Sequence, residues 1–305
     1  VPSVEQVALL LGGRVGVNFY CDLSGLKEDV LKNGYVVLSS GHYDKTIPIS
    51  KAGKETENGT TFYVFNYEVA AKEMSQDINL SVYDGAGQAL TLENGNEADV
   101  TVFTYSVYEY LNAAENLTDT SHLALTRAMA AYGVMSESVF NGRTTDDAML
   151  QLRSVIGDTQ ASDVMSLLNN VSAGAVADYE RAVSGTLPEG VTYYGTSLVL
   201  ESGTAIRHYF KVAPGYSISR YGFTCGSAVL TPVKVNDHLY YVESAKNIPA
   251  VQYRNAYTVT VGGYSLSYSV YSYVYAVLKG SHSDDLNNVV KAMYLYGEAA
   301  GRYFN

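Results

Sequence analysis

Five histidines, His42, His122, His208, His238 and His282, and two cysteines, Cys21 and Cys225, are the residues here best suited to nucleophilic, acid–base or metal chemistry. Catalysis needs a nucleophile with a base, a carboxylate pair or a cluster at metal-ligand spacing, and these seven fall into no such motif. Neither an enzyme nor a metal or other cofactor is expected. The acidic runs Glu93 to Asp99 and Asp146-Asp147 lack the alternating carboxylates and distal Glu of a calcium loop, and read as solvated faces. His208, in Ile-Arg-His-Tyr-Phe, reads as a strand residue hydrogen-bonded beside the core, His42 as a loop residue, and both cysteines as buried free thiols.

Tyrosine is the other chemical resource, with 28 residues against no tryptophan. Its flat, amphipathic ring can stack on a sugar and offer a hydroxyl beside it. Tyr193, Tyr194, Tyr216 and Tyr221 lie in or near expected loops and are the candidate ligand-binding residues. Tyr105, Tyr108, Tyr132 and their counterparts in a second copy are expected on helix faces in the core. The absence of Trp weighs against a carbohydrate platform.

These residues need a scaffold, and 305 residues with 47% hydrophobic content suffice for two domains. The formal net charge of −11 removes the attraction that drives binding to phosphate backbones or anionic lipid, so nucleic acid is not expected as a partner. No apolar run approaches the roughly 18 residues of a membrane span, so no membrane insertion is expected. The residues begin at Val1 without a basic-then-apolar leader; an export signal or anchor, if the precursor has one, lies outside them.

An internal repeat is the strongest pattern. Thr104 to Leu111 (TYSVYEYL) returns 163 residues later as Ser267 to Val274 (SYSVYSYV), and Thr126 to Asn141 returns after 164 as Val290 to Asn305. The second match pairs Met129 with Met293, Tyr132 with Tyr296 and Phe140 with Phe304. Weaker colinear matches set Leu10 to Tyr20 over Leu200 to Phe210, 190 residues on, and Val69 to Val82 over Ile248 to Val261, 179 residues on. The shrinking offset gives the first copy the longer connections, which belong in loops.

Each copy reads as strands followed by helices. In the first, Arg14 to Leu23, Thr60 to Asn66, Ile78 to Asp84 and Asp99 to Thr104 are short segments of alternating polarity. Asn58-Gly59, Asp84-Gly85, Asn94-Gly95 and Gly262-Gly263 carry hairpin-turn chemistry. Ser106 with Glu109 forms a capping box, and Ser269 occupies the matching position. Leu125, Met129, Tyr132 and Val139 or Phe140 make a helical stripe, as do Leu286, Val289 or Val290, Met293 and Tyr296. Between the copies, Ala148 to Ile156 and Val164 to Leu168 are weakly helical. The expected fold is α+β: two tandem antiparallel β-rich, sandwich-like modules, each closed by two antiparallel helices that pack on its own sheet. The expected division is residues 1–141, a partly helical linker 142–189, and 190–305.

GVNFY at Gly16 to Tyr20, VAAKEM at Val69 to Met74, SGTLPEGVTYYGTSLVLESGTAIRHYF at Ser184 to Phe210, YTVTVGG at Tyr257 to Gly263, the two YSVY helices and the KAMYLYGEAA ending carry a resemblance. Over nearly its whole length the chain resembles a duplicated module near the C-terminal ends of large secreted or wall-attached proteins of anaerobic gut Firmicutes. The resemblance implies an extracellular, secreted or cell-wall-attached setting beside other modules of a parent protein, and brings no catalytic residue with it. The expected role is a non-catalytic adhesion module whose partner is a host or surface protein, secreted immunoglobulins among the candidates. The alternatives are a carbohydrate-binding module using the loop tyrosines and a structural spacer.

Overall fold

A computed structural model describes residues 1–93, 98–200 and 203–305. The chain forms two compact units, one of Val1–Leu11, Val15–Val69 and Glu73–Glu115, the other of Gly12–Arg14, Ala70–Lys72 and Asn116–Asn305. Both are α+β with antiparallel sheets.

In unit 1, β1 (Ser3–Leu11), β2 (Val15–Asp22), β5 (Gly53–Glu57) and β6 (Thr60–Val69) form one sheet in the order β1-β2-β6-β5. The other sheet is β4-β3-β7-β8, built from β3 (Tyr35–Ser39), β4 (Asp44–Pro48), β7 (Ile78–Tyr83) and β8 (Phe103–Tyr105). Alternation sets the core face: Val15, Val17, Phe19 and Cys21 on β2, Phe65, Tyr67 and Val69 on β6, and Ile78, Leu80 and Val82 on β7 are buried. Rings from the two sheets meet where Phe19 packs edge-on against Phe103. The β5–β6 turn is Asn58-Gly59, with φ of 50° and 84°, the doubly positive geometry for which that dipeptide is suited. A short helix, α1 (Glu28–Asn33), joins β2 to β3, and α2 (Val107–Ala114) follows β8.

Unit 2 opens with α3 (Thr120–Asn141), α4 (Thr145–Ile156), α5 (Asp158–Asn170) and the short β9 (Ala182–Ser184). It then repeats the order of unit 1. The strands β10 (Val191–Val199), β11 (Ala205–Val212), β14 (Val233–Lys234) and β15 (Leu239–Ala245) form β10-β11-β15-β14. The strands β12 (Phe223–Cys225), β13 (Ala228–Leu230), β16 (Tyr257–Val261) and β17 (Tyr264–Tyr268) form β13-β12-β16-β17, with β9 added beyond β17. Then come α6 (Val270–Lys279) and α7 (Asp284–Phe304). Strand for strand, this is the order of unit 1, and the sequence offsets land on the elements: β7 on β16 at 179 and α2 on α6 at 163, while β2 and β11 match at 190 with their core-facing residues one position out of phase.

Both expected capping boxes form. Ser106 Oγ accepts from Glu109 N at 3.2 Å while Glu109 Oε2 accepts from Ser106 N at 2.6 Å. Ser269 does the same with Ser272, at 3.0 Å each way. Each box satisfies two donors that a helix start otherwise leaves orphaned.

Four strands of unit 1, β1, β3, β4 and β5, escaped the sequence reading. β1 (SVEQVALLL) is a mostly half-buried edge whose apolar residues cluster at one end instead of alternating. The last strand is Phe103–Tyr105, not Asp99 to Thr104, and positive φ in the Asp84 turn falls on Gly87 instead of Gly85. Asn94-Gly95 lies outside the described residues. The grouping also differs from 1–141, 142–189 and 190–305, since α3 and the intervening helices belong to the second compact unit and β9 of the linker completes one of its sheets.

The reason is α3, which is buried on nearly every side from Leu125 to Ser138. A helix buried all round cannot close a module from one face. It lies antiparallel to α7, so that His122 packs by Tyr303 and Tyr132 stacks on Tyr296 with centroids 5.6 Å apart. Tyr132 and Tyr296 are repeat counterparts, so the contact joins equivalent positions as a two-fold interface would.

Candidate functional site

The second unit holds an open cleft of about 550 Å³ between the edge strand β10, helix α6 and the segment leading into β9. That volume falls within the range of small-molecule sites, about 300–1,000 Å³. Strand β10 supplies Tyr193, Tyr194, Gly195 and Thr196, α6 supplies Ser272, Tyr275, Ala276 and Lys279, and Glu180, Arg181 and Tyr268 complete the wall.

The β10–β11 register slips by one residue at this point: Tyr193 pairs with Phe210 and Gly195 with Tyr209, leaving Tyr194 unpaired between them. An extra residue of this kind re-aims side chains. Tyr194 is 59% exposed, with the Lys211 ammonium 4.2 Å from its ring centroid. Tyr193 turns inward, edge-on to Phe210, and carries the Arg181 guanidinium 4.9 Å over its ring. Across the cleft, Lys279 Nζ donates to Tyr275 Oη at 2.9 Å and to Glu180 Oε1 at 3.3 Å.

A chain of hydrogen bonds runs from the cleft into the core. Tyr193 Oη bonds Thr196 Oγ1 at 2.6 Å, Thr196 Oγ1 bonds His208 Nδ1 at 2.8 Å, and His208 Nε2 bonds Ser244 Oγ at 3.0 Å. His208 is fully buried, and desolvation lowers its pKa from the usual 6.5 to about 4. The ring is therefore neutral at pH 7, one nitrogen donating and the other accepting. Asn18, which the sequence match sets over His208, lies on the other face of β2 from Val17 and Phe19, where it is buried and accepts from Asn66 Nδ2 at 2.8 Å.

The four candidate tyrosines do not form one site. Tyr193 and Tyr194 line the cleft, from a strand instead of a loop. Tyr216 and Tyr221 instead clasp the turn that feeds β10: Tyr216 Oη donates to Glu189 Oε1 and Tyr221 Oη to the Glu189 carbonyl, each at 2.7 Å. The Tyr216 ring lies against Gly190, whose φ of 78° suits glycine. Tyr105 and Tyr268 stand on strands just before α2 and α6, and Tyr268 is at once buried and part of the cleft wall.

Arg181, Thr196, Lys211, Tyr275 and Lys279 escaped the sequence reading. Tyr275 and Lys279 share a helix face at i, i+4, a legible pairing; Arg181 had no local signal. The first copy does not duplicate the cleft, because Ser272, Tyr275 and Lys279 correspond to Glu109, Asn112 and Asn116.

Elsewhere, Cys21 is buried and its thiol pushed up to about 12 by desolvation, while Cys225 is half-buried and raised for the same reason. His42 lies in the β3–β4 loop, 3.5 Å from the buried carboxylate of Glu73. Asp147 accepts from Thr144 in a capping box at the start of α4. The run Glu93 to Asp99 falls partly outside the described residues. Among the described residues, no three His, Cys, Asp or Glu side chains cluster as metal ligands, and no helix is long and apolar enough to cross a membrane. A smaller, mainly apolar cleft of about 230 Å³ lies between α3, α5 and α7. The chain matches no known protein-family model, and no curated protein matches it.

Proposed function

We propose that this chain is a non-catalytic, extracellular interaction module of a bacterial surface protein, and that its ligand is a carbohydrate seated in the Tyr193–Tyr194 cleft. The observation that carries the reading is the cleft itself: an exposed ring, Tyr194, beside hydroxyl and ammonium donors from Tyr275 and Lys279, in one of two topologically equivalent units. Concave sites with few, well-placed polar groups suit small ligands, and the pairing of a flat apolar face with hydrogen-bonding groups suits a sugar ring. His208 is neutral and buried, and Thr196 stands between it and Tyr193, an arrangement that supports holding a ligand instead of moving a proton.

The test is a glycan array probed with the purified chain and with Tyr194→Ala. Glycan binding that Tyr194→Ala weakens roughly tenfold or more, the order of one lost aromatic stacking contact and its burial, supports the reading, provided the variant melts like the parent. Glycan binding untouched by Tyr194→Ala would move the site elsewhere.

A protein partner, immunoglobulin included, is the second reading, and one observation favours it. Val229, Val233 and Val235 are 80%, 44% and 49% exposed along β13, β14 and the residue after them, an apolar run at the sheet edges. Exposed apolar surface of this kind marks contact sites. A pull-down with immunoglobulin that Val229→Lys abolishes and Tyr194→Ala leaves intact would favour it over the glycan.

A further inference from the structure

We infer that the sugar bound in this cleft is acidic, its carboxylate held by Arg181 and Lys279 while its ring lies against Tyr194. This rests on the reading of the cleft as a carbohydrate site and goes further by fixing the charge of the ligand.

The cleft reverses the sign of the molecule around it. The chain carries a net charge of −11, yet the charged residues lining this cleft are Arg181, Lys279 and Glu180, with the Lys211 ammonium over the Tyr194 ring. Local fields in a concave site count for more than the net charge far away. An acidic ligand would be repelled by most of this surface and attracted here.

Arg181 is the least committed of these cations. Its guanidinium lies over Tyr193, 4.9 Å from the ring centroid, and among the described residues its side chain enters no ion pair. Stacking fixes the plane of the guanidinium and leaves its edge, with a fork of N–H donors, for a carboxylate that accepts in the same plane. Lys279 is shared between Tyr275 and Glu180, but that ion pair is 59% and 57% exposed. An exposed pair of this sort contributes little and yields readily to a competing carboxylate. Tyr275 then keeps the ammonium aimed along α6 as the partner changes. Neutral sugars would use Tyr194 and the hydroxyls but leave the Arg181 fork unfilled.

The experiment compares matched pairs by calorimetry on the full chain: trigalacturonate against its methyl ester, and 3′-sialyllactose against lactose. At least one acid should bind about tenfold or more tightly than its neutral partner, the order of one charge-assisted hydrogen bond. The preference should shrink as salt rises. Arg181→Gln should erase the preference by bringing the acid's affinity down to about that of its neutral partner, and unchanged thermal melting would show that the variant folds. Equal binding of acid and neutral partner, or preference for the neutral one, would overturn the inference and leave the carbohydrate reading standing. An acid preference that Arg181→Gln and Lys279→Met both leave intact would overturn it as well. Binding of none of the four, with no hit on the wider array, would sink the carbohydrate reading and this inference together.

Discussion

His208 shows how one residue couples core packing to the candidate site. It is buried without a charged partner, so its protonated form is disfavoured in the folded state and its pKa falls to about 4. The unfolded chain takes up that proton near pH 6.5, so stability is full above 6.5, declines as pH falls toward 4, and levels off below. At about 1.4 kcal/mol per pH unit, the residue accounts for a loss of roughly 3 kcal/mol across that window. Urea unfolding at pH 7.0 and 4.5 measures it. His208→Asn, which keeps a polar side chain that does not titrate, should flatten the dependence; an equally steep slope in the variant would assign it to other groups. That His208 is a strand residue hydrogen-bonded beside the core was legible in the sequence. Its bond to Thr196, and through it to Tyr193, was not, because that contact depends on strand pairing across β10 and β11.

Among elements, α7 shows how tightly the helices of unit 2 are packed. A Cβ at Gly297 would strike the Tyr271 hydroxyl, which donates to Glu298 Oε1 at 3.0 Å, and would crowd the Tyr253 ring. Gly297→Ala should cost about 1–3 kcal/mol, the usual penalty for overpacking. One turn on, a Cβ at Gly301 would meet only Arg254 Nη2 at 3.6 Å, an ordinary contact. Gly301→Ala should therefore stabilise by up to about 1 kcal/mol through helix propensity alone. Thermal melting of the two variants tests the contrast, and melting temperatures that move together would refute the packing account. Both glycines stand in one helical segment whose sequence cannot rank them, since their difference lies in a partner side chain 26 residues upstream of Gly297.

For the molecule as a whole, burial predicts where the backbone opens last. The amides of α3 from Leu125 to Ser138 are enclosed on nearly every side and should be the slowest to exchange with deuterium, with those of α7 opposite Tyr132 close behind. Exchange mass spectrometry should find the exposed β5 and β13 among the fastest; fast exchange in α3 would show that this helix is not part of the last-opening core. The sequence by itself determined the duplication, and with it that both units share one strand order, because colinear matches with shrinking offsets survive insertion in loops. It also determined both helix caps, the Asn58-Gly59 turn and the acidic balance, all of which are set by neighbours in the chain or by composition. Only the tertiary structure decided that α3 joins the second unit, that Tyr193 and Tyr194 share a cleft while Tyr216 and Tyr221 hold a turn, and that Arg181 meets a wall built from β10 and α6. Those outcomes depend on which strands pair and in what register. Arg181 and Lys279 line one cleft although 98 residues of chain separate them, and no local pattern encodes such a meeting.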